Sequence, residues 1–230
     1  IHRPDRAHLK HVFQLWLKLN IPYLRGMTFV AALRQNGSWD LANAAYSTPP
    51  RSTEHILHPE KYLSGEAPVL VVIDSQAIAD AASITSGNVW TPAYDNVMGE
   101  FQISLWLETL GVHSSTARTA AQGWGGDRLI GLRSDDGTMM AVFVSVWDSS
   151  PDAIEFAHAL ENAMAHRHPA LSAKVKKGTY GGLTCGRSNN DRVIIERWGK
   201  WVIWSEGLPA HAHVRPVRDA IWNTRQTGNY

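Results

Sequence analysis

Asp127-Arg128-Leu129-Ile130-Gly131-Leu132-Arg133, then Ser134-Asp135-Asp136-Gly137, then Thr138-Met139-Met140-Ala141-Val142-Phe143-Val144-Ser145-Val146-Trp147 is the stretch that decides the fold class. Its outer parts are apolar runs of strand length, and its middle is a short polar turn with glycine in the last place. Strands joined so closely pair antiparallel. A second hairpin lies downstream: Val193 to Trp198 and Trp201 to Ser205 flank Gly199-Lys200, a two-residue loop of the glycine-first kind. Between the hairpins, a helix of about sixteen residues starts after Ser150-Pro151 and runs through His166, with Ile154, Phe156, Ala157, Leu160, Ala163 and Met164 as core candidates.

Upstream of the first hairpin the period changes. A helix from about Val97 to Leu110 carries Phe101, Leu105, Trp106, Leu107 and Leu110 and stops at Gly111; another begins at Ser114 or Ser115 and ends at Gly123. Val69-Leu70-Val71-Val72-Ile73 is a continuous apolar run between Pro68 and Asp74, as expected of a buried strand. Three helices are expected before it: Asp5 to Leu19, Pro22 to Gln35, and Ser38 to Tyr46, the last ending before Pro49-Pro50. A final helix is expected around Val217 to Thr224. The fold class is therefore α+β, with an N-terminal helical layer over residues 1–66 and a mostly antiparallel sheet flanked by helices over 67–230. No long Pro/Gly/Ser linker separates the two, and they are expected to form one unit.

With 44% hydrophobic and 19% charged residues, the composition is that of a chain with a substantial core. The net charge of +1 provides no field for nucleic acid or for an anionic membrane surface, and Lys174-Val175-Lys176-Lys177 is expected to be a solvated turn. No apolar run reaches the roughly 20 residues of a membrane span. The single cysteine, Cys185, excludes an internal disulfide and is expected to be a small buried residue. The first residue is Ile1 rather than methionine, so an upstream leader or domain is expected to have been removed.

Pro49-Pro50-Arg51-Ser52-Thr53-Glu54-His55-Ile56-Leu57-His58-Pro59-Glu60-Lys61-Tyr62 concentrates constrained and chargeable residues. Ser52 or Thr53 suits the cap of a short helix with Glu54 in its first turn, and Pro59 suits the first turn of the next helix, making a rigid double corner. His55, His58, Glu54 and Glu60 are a candidate metal site; alternatively His58 and Glu60 bond across the Pro59 corner. His166-Arg167-His168 and His211-Ala212-His213 are expected to be exposed histidines. In Gly123-Trp124-Gly125-Gly126-Asp127-Arg128 the glycines permit close backbone approach, Trp124 plugs the core, and Asp127 and Arg128 are candidates for ion pairs locking the turn.

The segment Ser52 to Tyr62 resembles a run found in bacterial secreted or membrane-associated gluzincin-like zinc metallopeptidases, downstream of their zinc helix. Similar segments follow the same order: Tyr23 to Val30, Met98-Gly99-Glu100-Phe101, Ala120 to Arg128, and Trp147 to Ser150 leading to Asp152 to Phe156. The resemblance implies a cleft lined by the Glu54–Tyr62 loop, with Glu100 orienting substrate or a ligand of the metal; on its own, Glu100 complements a helix dipole. In that family two histidines of a His-Glu-x-x-His helix and a downstream glutamate hold zinc, and the motif's glutamate is the general base. No His-Glu-x-x-His occurs here, His8-Leu9-Lys10-His11 being the nearest spacing, so neither ligands nor base carry over.

Ten tryptophans are a heavy load. Trp90, Trp106, Trp124 and Trp147 fall at helix–strand junctions typical of core, whereas Trp198, Trp201 and Trp204 share one hairpin that carries large apolar groups on both faces. In this pattern Ile195, Arg197, Trp201 and Ile203 are expected on one face, and Ile194, Glu196, Trp198, Val202 and Trp204 on the other. The expected function is a non-catalytic binding or structural module, without a cofactor in this chain, docking a protein partner through that hairpin in an extracytoplasmic assembly. Two alternatives stand beside it: the C-terminal part of a zinc metallopeptidase whose zinc helix lies upstream, and a carbohydrate-binding module.

Overall fold

The computed structural model describes residues 6–168, 174–178, 181–187 and 191–228, and side chains over 23–168 and 191–228. It divides into two compact units, Ile1–Ala67 and Pro68–Tyr230. Among the described residues no helix is long and apolar enough to cross a membrane.

The first unit is helical. α1 spans Arg6–Ser47 and stays helical through Pro22, where a boundary is expected, although an interior proline gives up one helix hydrogen bond. The expected break at Gly37 is present. Gly37 (φ −169, ψ 34) and Ser38 (φ 61, ψ −160) leave helical geometry, and the Ser38 hydroxyl accepts from the Asp40 N–H at 3.3 Å to restart the helix. α2 (Thr53–Leu57) and α3 (Pro59–Ser64) follow, with Gly65 in the left-handed conformation closing the second. Phe29, Leu33 and Ala42 of α1 bury against Ile56 and Tyr62, the Phe29 and Tyr62 rings meeting edge to face at 5.2 Å.

The second unit opens with β1 (Leu70–Val72), α4 (Ser75–Ser86), β2 (Trp90–Asn96), α5 (Gly99–Thr109), α6 (Ser114–Ala121), β3 (Trp124–Ser134) and β4 (Met139–Trp147). Then come α7 (Ser150–Arg167), β5 (Lys174–Gly178), β6 (Gly181–Arg187), β7 (Asp191–Trp198), β8 (Trp201–Pro209), α8 (Val214–Thr224) and β9 (Gln226–Gly228). Seven described strands make one antiparallel sheet in the order β2-β3-β4-β8-β7-β6-β5. The β4–β8 pairing joins the two hairpins at the sheet centre.

Strand periodicity divides the core. On one face Phe143, Val193, Ile195, Val202 and Trp204 pack under α5, α6 and α7; on the other Val142, Val144, Ile194, Ile203 and Leu208 pack under α4 and α8. A sheet covered on both sides explains why β4 is apolar at almost every position.

Several expectations are corrected. The Val69–Ile73 run forms only three-residue β1, paired with β9 outside the main sheet. Val69 donates its N–H to the Gly125 carbonyl at 2.7 Å, and a Cβ on Gly126 would lie 2.1 Å from the Val69 carbonyl, so this glycine is required by the crossing of β1 over β3. Lys174–Lys177 is not a turn but part of strand β5, at the edge of the sheet. The Cys185 backbone lies in β6, and its side chain is outside the described residues.

Hairpin β7–β8 turns at Gly199 (φ 58) as expected, but the tight turn sets Trp198 opposite Trp201, Glu196 opposite Ile203, and Ile195 opposite Trp204. Directly opposed residues share a face. Trp198, Trp201, Glu196 and Ile203 thus belong together, and Trp204 lies on the opposite side with Ile195, which regroups both expected faces.

Candidate functional site

The double corner in the first unit is a network of structural bonds. The Ser52 hydroxyl accepts from the His55 N–H and caps α2, and Pro59 occupies the first turn of α3. His55 is buried with both ring nitrogens engaged: Nδ1 accepts from the Arg51 N–H at 3.3 Å, and Nε2–H donates to the Glu66 carbonyl at 2.7 Å. No ring lone pair is left for a metal. Buried Glu54 accepts from Lys61 Nζ at 2.7 Å, and the same ammonium pairs with Glu66 at 2.9 Å. His58 Nδ1 lies 3.5 Å from Glu60 across the proline, and the Tyr62 hydroxyl donates to the Thr48 carbonyl at 2.7 Å. The sequence brings Glu54, His55, His58, Glu60 and Tyr62 together as a staple, with His55 turned to backbone rather than to a common ligand.

In the second unit, of the ion-pair candidates Asp127 and Arg128, Arg128 forms an ion pair, with Asp95, and Asp127 serves as a hydrogen-bond acceptor. Asp127 is buried; its Oδ1 accepts from the Met98 N–H, and its Oδ2 accepts from the Gly99 N–H and Trp124 Nε1–H, each at 2.8 Å. It therefore caps the start of α5 and fixes the Trp124 indole. Burial pushes its pKa above the ordinary carboxylate value, opposed by these three hydrogen bonds. Arg128 faces outward and pairs with Asp95 on the edge strand. Glu100 is buried in the first turn of α5, next to the residues Asp127 caps. Of the paired histidines, His211 Nε2 bonds the Ser86 carbonyl, His166 is exposed, and His168 is half-buried against Glu206 at 3.0 Å rather than exposed.

The three hairpin tryptophans part company. Trp204 is core, packed edge to face on Trp106 at 5.0 Å. Trp201 is half-buried, and Trp198 is 49% exposed. Trp198 and Trp201 meet side chains from α8 and the residue after it, none of which the sequence singled out. The Arg225 guanidinium carbon lies 4.5 Å from the Trp222 ring centroid, 5.0 Å from Trp198 and 5.5 Å from Trp201. Trp198 and Trp222 are nearly perpendicular, at 72° and 6.0 Å. Behind them Glu196 accepts Arg218 bidentately at 2.6 and 2.7 Å and Trp222 Nε1–H at 2.6 Å; this pairing raises the Arg218 pKa. Arg225 has the opposite environment: its Nη1–H donates to the Trp222 carbonyl, and burial lowers its pKa. Arg218 and Trp222 stand at i, i+4 on α8, a spacing visible in the sequence; that their face meets Glu196 is set only by the sheet.

A family model described as "Domain of unknown function (DUF8575)" matches residues 89–218, more than half of the chain. The chain belongs to the DUF8575 family. The DUF8575 match covers every strand of the seven-stranded sheet and ends inside α8, so Trp198 and Trp201 lie within it and Trp222 and Arg225 beyond it. No curated protein matches. Among solved structures, the extracellular domain of PknH from Mycobacterium tuberculosis is 7% identical with a TM-score of 0.41, over 66% of this chain and 91% of that chain, a likeness too low to argue from. None of these comparisons bears on the resemblance to gluzincin-like metallopeptidases.

Proposed function

We propose that this DUF8575 protein is a non-catalytic binding module whose contact surface is the tip of hairpin β7–β8 with the end of α8. The observation that carries this is the placement of Trp198: a large indole left half in solvent while its neighbours Trp201 and Trp222 are drawn into a cluster around Arg225. Exposed aromatic surface backed by a rigid frame is the usual anchor of a protein interface. The acids and histidines that resembled a cleft instead hold backbone and helix ends, which supports binding over chemistry.

The partner is proposed to be a protein of an extracytoplasmic assembly, on the strength of the motif segments similar to secreted metallopeptidases; a relation to the gluzincin-like fold is part of the same proposal. Affinity capture with the wild-type chain and Trp198→Ala in parallel tests it. A polypeptide retained in stoichiometric amount by the wild type and lost with the variant is expected. Equal retention by both, or none by either, refutes the proposal.

A further inference from the structure

We infer that the cage formed by Trp198, Trp201 and Trp222 is a binding site for a trimethylammonium group, which enters by displacing Arg225. Three indole faces surround one cation at 4.5 to 5.5 Å, within the range of cation–π attraction, and indole is the strongest aromatic partner for a cation. Two walls stand nearly at right angles, leaving a corner rather than a flat stack. The half-exposed Trp198 is the entrance.

The present occupant is poorly compensated. Among the described residues no carboxylate pairs with Arg225; its partly buried guanidinium, besides the indoles, bonds the Trp222 carbonyl. Guanidinium carries five N–H donors that prefer water or a carboxylate, whereas a trimethylammonium group has no donor to leave unsatisfied. Arg225 also lies between α8 and three-residue β9, where its side chain can swing outward without unfolding an element.

The frame remains after Arg225 leaves. Trp222 is fixed by its bond to Glu196, and Glu196 by the Arg218 fork, with Asp219 on the same guanidinium. Glu196 and Asp219 are paired by Arg218 and Arg215, so with Arg225 the group carries one positive charge and without it none, and an incoming cation takes the place of the one displaced. The chemistry is that of a choline-type headgroup, free or on a lipid.

This inference rests on reading the chain as a binding module and has its own test. Choline is titrated into the wild type, Arg225→Gln and Trp198→Ala, followed by tryptophan fluorescence and by broadening of the choline methyl resonance. Phosphatidylcholine and phosphatidylglycerol vesicles are compared by flotation. Saturable binding by the wild type is expected, tightened about tenfold in Arg225→Gln because the competing occupant is gone, and weakened at least about tenfold in Trp198→Ala. Retention on phosphatidylcholine but not phosphatidylglycerol vesicles, with no free choline bound, assigns the site to a lipid headgroup. Absence of binding to either source overturns the inference, as does binding by Arg225→Gln alone or affinity indifferent to Trp198→Ala. If a protein partner is lost with Trp198→Ala while choline and vesicles fail to bind, the binding module stands and the trimethylammonium site falls.

Discussion

Replacing Asp127 by alanine tests the most demanding polar arrangement in the protein. The carboxylate satisfies the Met98 and Gly99 N–H groups at the start of α5 and the Trp124 indole, all at 2.8 Å. Alanine leaves three donors unmet, two buried and one half-buried, at about 1–3 kcal/mol each, the two backbone N–H groups among them being the cap of α5. Relief of the carboxylate's own desolvation returns part of this, so a net loss of about 4 kcal/mol is expected. Urea unfolding followed by tryptophan fluorescence and near-ultraviolet circular dichroism measures it. A loss below about 1 kcal/mol would mean that water replaces the carboxylate, and would refute the view of Asp127 as the joint between β3 and α5.

The same residue predicts a pH dependence. Burial raises its folded pKa, so the native state holds this proton more tightly than the unfolded chain does. The wild type's advantage over Asp127→Asn should be greatest below the ordinary value of 3.8 and fall as pH rises through the raised folded value. An advantage that grows with pH across this window would show that the three hydrogen bonds outweigh burial.

Trp204→Ala should cost about 3–5 kcal/mol in urea unfolding and Trp198→Ala less than about 1 kcal/mol, because one fills the core under α5 and the other is half in solvent; equal costs would contradict the assignment of faces in the β7–β8 hairpin. Glu196→Gln should lose about 2 kcal/mol and expose Trp222 to acrylamide quenching, since it weakens both the Arg218 fork and the indole bond; unchanged quenching would show that α8 is held by apolar packing alone. Gly126→Ala should destabilise by about 1–3 kcal/mol through its collision with the Val69 carbonyl, whereas the same change at Gly137, where an added Cβ meets nothing within 4 Å, faces only the strain of φ +88. Loss of β1–β9 amide protection from hydrogen exchange in Gly126→Ala alone would separate the two mechanisms, and equal loss in both would refute the crossing.

Local chemistry carries much of the fold in plain sight. Ser52 before Thr53-Glu54-His55, Pro59 after His58, and Ser149 before Ser150-Pro151 are caps and first-turn residues whose bonds lie within four residues, and the helices begin where these place them. The first hairpin is equally local, its turn set by Gly137 (φ 88) and its strands by residues adjacent in sequence. By contrast α4 and β2 have no strong local signature, because Ser75–Ser86 is built of small residues without a strong apolar stripe and β2 exposes all its residues after Trp90. The lysine-rich run of β5 has the composition of a solvated turn, and its strand state follows only from pairing with β6 at the sheet edge.

Ser52, Pro59, Gly137 and Gly199 act over a few bonds, so the sequence by itself determined the α+β class, both hairpins, most of the helices and the double corner. The tertiary structure decided which of these residues meet. Asp127 faces α5 rather than Arg128 because neighbours on a strand point to opposite sides; Trp198 joins Trp201 and departs from Trp204 because a two-residue turn sets the register. Arg225 reaches three indoles from β7, β8 and α8 because the packing of α8 against β7 brings the end of that helix to the β7–β8 turn. A cage assembled from remote elements leaves no local period or spacing, since each of its residues follows the pattern of its own strand or helix.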